Sequence, residues 1–228
     1  TGTFSFFVLI SRVLGYVRDF FIALFLGSGP LSDAFFVAFR IPNTFRRLFS
    51  EGTFNAAFVP SYSSELIKGK DKAKEFANSV FNLLVFFLLA TTILIEIFMP
   101  GFVKIIAPGF SDDKEKMQLA INLTRLTFPF LLFICLASFL SAILNSHNKF
   151  AAAAAAPIIL NVLLILCLIF ANKFGDTLVY YLSYTVSVAG LVQFIFLIFF
   201  VRKFYLPNFN LKIKMNDNIK IFFKKLLP

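Results

Sequence analysis

Five arginines and three carboxylates interrupt the first two apolar stretches of this chain: Arg12, Arg18, Arg40, Arg46 and Arg47 against Asp19, Asp33 and Glu51. A guanidinium is planar, always charged and bidentate, so the chemistry open to such a set is the gripping of an anion, phosphate oxygens above all. Asp33, Arg40 and Arg47 are spaced seven residues apart. On a helix that spacing drifts by only about 20° per step, which puts all three on one face with Glu51 one turn further on. Pro42 lies inside this stripe. It has no N–H to offer and its ring clashes with the carbonyl of Ala38, which predicts a bend or hinge.

An arginine near the middle of a bilayer costs roughly 2.5–3.5 kcal/mol on insertion scales, so such residues face a wet cavity or a partner. Pairing within the set is one solution: Arg18 with Asp19 or Asp33, and Arg40 or Arg47 with Asp33 or Glu51. Arg46 and Arg47 near an interface would snorkel. The count leaves a formal excess of two positive charges in the first two segments, and that excess predicts a negatively charged guest.

Other chemistries are poorly provided for. Cys135 and Cys167 sit in apolar runs without metal-ligand spacing, and His147, the single histidine, lies in a polar turn with no carboxylate or thiol cluster around it. Neither nucleophilic catalysis, a metal site nor a cofactor is indicated. The net charge of +10 on a chain that is 59% hydrophobic, with 35 phenylalanines, points to anionic lipid headgroups and anionic substrates as partners rather than nucleic acid. A water-soluble domain could not hide so much apolar surface, and the class is therefore an all-α polytopic membrane protein.

The elements that must position these charges are six apolar segments, each near the ~20 residues that span a bilayer. They run from about Phe4 to Leu26, Asp33 to Pro60, Phe76 to Met99, Met117 to Asn145, Phe150 to Ala171 and Thr177 to Phe200. Between them lie a lysine-bearing loop from Ser61 to Glu75, a connection from Pro100 to Lys116 broken at Pro108-Gly109, and a short turn from Ser146 to Lys149. The six successive alanines Ala151 to Ala156 would let a neighbouring helix approach closely. Asn82, Glu96, Asn161 and Gln193 read as interhelical packing glue, and Arg125, ahead of Pro129 on the outer side, as an interface anchor or a substrate contact. From Leu211 to Pro228 lysines alternate with Ile, Phe and Leu, the pattern of an amphipathic helix on a membrane surface. With the N-terminus inside, loops and tail on the cytoplasmic side hold twelve Lys and Arg against four opposite, so both ends of the chain are expected in the cytoplasm. The remaining six cations, all arginine, fall within the apolar segments.

The runs SRVLGYVRD (Ser11 to Asp19), SDAFFVAFRIPNTFRRLFSEGTFNAAFVP (Ser32 to Pro60), IIAPGF (Ile105 to Phe110) and LTRLTFPFLLFICLASFLSAILN (Leu123 to Asn145) resemble the MurJ/MviN family. Its members are lipid II flippases of the multidrug/oligosaccharidyl-lipid/polysaccharide exporter superfamily. The resemblance covers nearly the whole chain. It implies a two-lobe transporter of about fourteen helices around a cationic cavity, of which residues 1–205 would form the first six-helix lobe. Residues 206–228 would be a cytoplasmic amphipathic lead into a missing seventh helix, and the second lobe would be a partner absent from this sequence. By the same resemblance Arg12, Arg18, Arg46 and Arg47, with Arg40, are similar to the substrate-binding arginines of the cavity. Asp19, Asp33 and Glu51 correspond to gate or charge-partner carboxylates. Arg40 stands where lysine would be as readily expected, and the charge is kept.

The implied function is movement of undecaprenyl-pyrophosphate-linked disaccharide-pentapeptide from the inner to the outer leaflet of the bacterial cytoplasmic (inner) membrane, for peptidoglycan synthesis. No bond is broken in such a step, and the protein would be a transporter rather than an enzyme. Two alternatives stand beside it: another polysaccharide or drug exporter of the superfamily, and a non-transporting membrane protein that binds anionic lipid.

Overall fold

The structure, a computed structural model, describes residues 2–51 and 53–208, without the side chains of residues 41, 45–51, 53 and 172. Among these residues all regular structure is helical: α1 (Gly2–Leu26), α2 (Pro30–Glu51), α3 (Thr53–Lys68), α4 (Lys70–Ile97), α5 (Met99–Ile106), α6 (Lys114–Thr127), α7 (Pro129–Ser146), α8 (Phe150–Ala171) and α9 (Leu178–Val201). Four stretches are long and apolar enough to cross a membrane: Lys70–Ile97, Lys114–Ser146, Phe150–Ala171 and Lys173–Val201. Helix α1 is as long as these, and only its Arg12, Arg18 and Asp19 set it apart. The amphipathic tail expected from Leu211 to Pro228 lies outside the described residues.

Several expected boundaries are corrected. The segment expected from Asp33 to Pro60 is two helices, α2 and α3. The residues from Ser61 to Glu75 are not a loop: α3 continues through Lys68 and α4 begins at Lys70, with a break at Gly69. Gly69 takes φ 133°, a conformation open to glycine at little cost. The lysines here sit on helix surfaces, where Lys68 pairs with Glu65 at 2.7 Å and Lys72 with Glu75 at 4.0 Å. The connection from Pro100 to Lys116 holds α5 and a 3-10 turn at Pro108–Phe110 before α6 starts, with Asp113 accepting from the Lys116 N–H as its N-cap. The expected fourth segment breaks at Phe128 into α6 and α7, because Pro129 opens a new first turn.

Helix α7 is the centre of the bundle. It is apolar over most of its surface, with Ser138, Ser141 and Asn145 as its polar side towards the cavity described below, and α9, α2, α3, α4 and α8 surround it, so that Leu140, Ile143 and Phe139 are fully covered. A helix this apolar can be a lipid-facing span or a core, and here packing decides. Gly190 of α9 makes that packing possible: a Cβ there would lie 2.7 Å from the Phe130 ring. Helix α1 packs mainly along α8, with Gly15 opposite Asn161.

At one end of the bundle Tyr62 meets His147 through an Oη···Nε2 contact of 3.2 Å, and the imidazole stacks on Phe204 with 4.2 Å between ring centres. Burial, with help from the charge of Lys70, lowers the basicity of His147, which keeps the ring neutral within its aromatic stack.

The backbone at Pro42 is satisfied from another helix. In a regular turn the residue-42 N–H would donate to the Ala38 carbonyl; instead the hydroxyl of Thr127, at the end of α6, donates to it at 2.9 Å in a buried position. The same hydroxyl reaches the Thr124 carbonyl at 3.1 Å. Thr127→Val leaves the Ala38 carbonyl without a donor and is expected to cost about 1–3 kcal/mol, while Thr127→Ser is expected to stay close to wild type. Thermal unfolding of the two variants in detergent checks this, and equal stability of Val and Ser would refute it.

Candidate anion-binding cavity

Arg18 is the most heavily engaged ion of the structure's described residues. Its Nε and Nη2 donate to Asp19 Oδ1 at 2.9 and 2.7 Å, and its Nη1 donates to Asn161 Oδ1 at 2.8 Å. The guanidinium also lies 5.4 Å from the ring centre of Phe39 on α2. The Arg18 side chain is 14% exposed, whereas Asp19 beside it is 59% exposed. Asn161 in turn donates Nδ2–H to the Ser11 carbonyl of α1 at 2.9 Å. One amide thus ties α8 to the backbone of α1 and to its arginine together, and a polar residue that read as generic glue is a direct partner of the charge.

Arg12 and Arg18, six residues apart on α1, line a single cavity of about 520 Å³ whose other polar walls include Asn145, Asn161, Ser138 and Gln193. Amides and hydroxyls dominate that polar lining, and a second cleft of about 710 Å³ adjoins it, since Arg18 lines both. The second cleft holds Asp19, Asp33 and Arg40, so the seven-residue spacing does put Asp33 and Arg40 beside one space. They are not paired there. Lys116 of α6 takes Asp33 instead, Nζ to Oδ2 at 2.6 Å, with its ammonium 4.4 Å from the Phe110 ring centre. Among the described residues neither Arg12 nor Arg40 forms an ion pair with a carboxylate.

Thr44 Oγ1, two residues beyond Pro42, donates to the Arg40 carbonyl at 2.9 Å. The side chains of Arg46, Arg47 and Glu51 lie outside the described residues, and their backbone continues α2. Arg125 is exposed on α6, near enough to Glu96 of α4 for the two charges to interact. Lys116 and Thr127 are the contributors that sequence reasoning missed. Each lies more than eighty residues from its partner, so no local spacing signals the contact.

The guanidinium N–H groups and amides of this arrangement are suited to holding an anion. The family profile described as lipid II flippase MurJ matches residues 22–228. The chain belongs to the MurJ family. A probable lipid II flippase MurJ of Rhizobium tropici is 47% identical over 188 residues, covering 80% of this chain and 35% of that protein. Among solved structures, a lipid II flippase MurJ in an inward closed conformation aligns with 99% of this chain and 47% of its own, at TM-score 0.81 and 29% identity. An outward-facing multidrug resistance MATE transporter of the MOP superfamily aligns at TM-score 0.66 and 18% identity, covering 99% of this chain and 49% of its own. That last likeness is one of fold. The chain spans less than half the length of these MurJ relatives, and its described residues are all-α with membrane-type apolar helices.

Asn161 and Arg18 are expected to be energetically coupled. Asn161→Leu removes a hydrogen bond to a charge and should cost about 1.5–3 kcal/mol, yet in an Arg18→Leu background the same change should cost much less. A double-mutant cycle by thermal or denaturant unfolding measures the difference. Additive costs would mean that the contact carries no energy.

Proposed function

We propose that this chain is the first lobe of a lipid II flippase that carries the undecaprenyl-pyrophosphate-linked precursor of peptidoglycan from the inner to the outer leaflet by alternating access. The observation that carries the reading is Arg12 and Arg18 lining one cavity in which Asp19 offsets Arg18 alone and Asp33 is taken by Lys116, so that Arg12 has no described carboxylate as an ion-pair partner. A pyrophosphate offers several oxygens to forked N–H donors, and the polar cavity walls suit the wet headgroup. Arg40, Arg46 and Arg47 complete the proposed cation set on α2, and Asp19, Asp33 and Glu51 act as gate or charge-partner groups.

In this reading Asp33–Lys116 is a latch between α2 and α6 that opens as the lobes rock, and Pro42 is the hinge. The replacement of its missing hydrogen bond by the Thr127 hydroxyl supports that role, since α2 can then bend without orphaning a buried carbonyl. Residues 1–205 form the lobe and residues 206–228 lead to the remainder of the transporter, a second lobe that completes the cavity. Both ends of this chain face the cytoplasm of a bacterial inner membrane, on the strength of the charge bias in its loops.

Arg18→Lys and Arg47→Lys keep the charge and lose the fork. In a protein carrying both lobes, each is expected to lower the lipid II flipping rate by about tenfold or more, as a loss of ~1.4 kcal/mol would. Arg125→Ala is expected to lower it far less. Flipping in reconstituted vesicles, alongside complementation of a flippase-depleted strain, distinguishes the outcomes. Equal losses at Arg125 and Arg18 would contradict the division between cavity and anchor residues.

A further inference from the structure

A further cleft of about 960 Å³, which meets the arginine cavity at Phe4, opens at the end of the bundle where α1 and α8 begin and α9 stops. Its walls are aromatic, and Phe4, Phe150 and Phe200 remain 45%, 43% and 43% exposed. Its rim is basic: Lys149, Arg202 and Lys203 all line it, and none of the described lining residues is acidic.

Two helix ends deliver these cations. After α7 the chain turns through Asn148 at φ 59°, and the Lys149 N–H donates back to the Leu144 carbonyl at 2.8 Å. That tight turn sets Lys149 at the first residue before α8. On the other side α9 ends at Arg202, whose N–H donates to the Ile198 carbonyl at 3.0 Å and whose guanidinium lies 4.0 Å from the Phe199 ring centre. The aromatic contact holds the charge at the rim while leaving guanidinium N–H groups free of any described carboxylate.

Three like charges over a greasy cavity call for an amphiphile. A small anion would neutralise the rim and leave the rings wet, and a neutral apolar molecule would fill the cavity and leave the cations repelling one another. Basic pockets between membrane helices are the usual solution for anionic headgroups. We propose that this cleft binds an anionic phospholipid, its phosphate among Lys149, Arg202 and Lys203 and an acyl chain along Phe4, Phe150 and Phe200. The lipid bridges α1, α8 and α9 at their common end. It thereby fixes the spacing of the two helices that carry Arg18 and Asn161, and this does not depend on which substrate the arginine cavity takes.

The test uses the full-length protein purified in mild detergent, with native mass spectrometry and titration of phosphatidylglycerol, phosphatidylcholine and inorganic phosphate. Wild type is expected to retain phosphatidylglycerol over phosphatidylcholine by roughly tenfold or more. The combined variant Lys149→Gln, Arg202→Gln, Lys203→Gln should lose that preference. Lys70→Gln, Lys72→Gln, Lys74→Gln, which removes as much charge from the exposed start of α4, should keep it. Ala151→Phe fills the cleft with every cation in place and should weaken phosphatidylglycerol retention several-fold, which separates loss of the site from loss of charge. The proposal is overturned by equal losses in the two glutamine variants, by equal retention of the two lipids, by full retention in Ala151→Phe, or by inorganic phosphate displacing the lipid at matched concentration. Wild type that retains no lipid, with residues 209–228 cross-linking to Ala151→Cys, would give the cleft to the chain's own tail and equally overturn it.

Discussion

A guanidinium in a membrane helix must be surrounded by oxygen atoms, and the placement of Arg18 organises much of this lobe. Its three donated hydrogen bonds, to Asp19 and Asn161, require α1 and α8 to run side by side in one register. Gly15 faces Asn161 at that contact, where even a Cβ would sit 3.7 Å from the amide nitrogen. The contact leaves the cavity with surplus positive charge, since Asp19 serves Arg18 and no described carboxylate serves Arg12. Structure and electrostatics here have the same origin: the Asp19 carboxylate offsets the charge of Arg18, the neutral amide of Asn161 fixes its place against α8, and Arg12 is left as the surplus cation of the cavity.

The same principle governs the backbone. In hydrocarbon every carbonyl left without a donor is costly, and proline removes one donor each time it enters a helix. At Pro42 the Ala38 carbonyl finds the Thr127 hydroxyl, and close to Pro129 the Leu126 carbonyl accepts from Ser187 at 2.5 Å. Hydroxyls on facing helices thus allow irregular backbone within the bundle. Helix α7 can then serve as a rigid apolar centre while α2, α6 and α9 meet at points where the regular hydrogen-bond ladder is interrupted. At such points the bundle can bend without exposing backbone to lipid.

Much of this was legible in sequence. The helical class, the limits of α1, α8 and α9 and the concentration of arginine in the first two segments follow from hydrophobic runs and from what charge costs in a membrane. The family resemblance carried by the runs around Arg18, Arg40 and Arg125 agrees with the profile and structural matches. Less legible were the breaks. Lysines between Ser61 and Glu75 read as a solvated loop, yet lysine is a good helix former and only Gly69 interrupts the helices there. The pairing of Asp33 was also hidden: the expected partners were Arg18, Arg40 or Arg47, and the fold brings Lys116 from 83 residues away. Asn161 carried no local signal, because an amide in an apolar helix is the same letter whether it meets another helix or an arginine.

The central claim is that Arg12 and Arg18 make a cavity for a pyrophosphate. The most direct measurement is equilibrium binding of undecaprenyl pyrophosphate and of undecaprenol, which share the hydrocarbon and differ in the headgroup, to a protein carrying both lobes and to its Arg12→Gln, Arg18→Gln variant. The account predicts that wild type prefers the pyrophosphate by about tenfold or more, equivalent to ~1.4 kcal/mol, that added salt erodes the preference, and that the variant binds the two lipids alike. Equal binding of the two lipids by wild type, or a preference untouched by loss of both arginines, would contradict it.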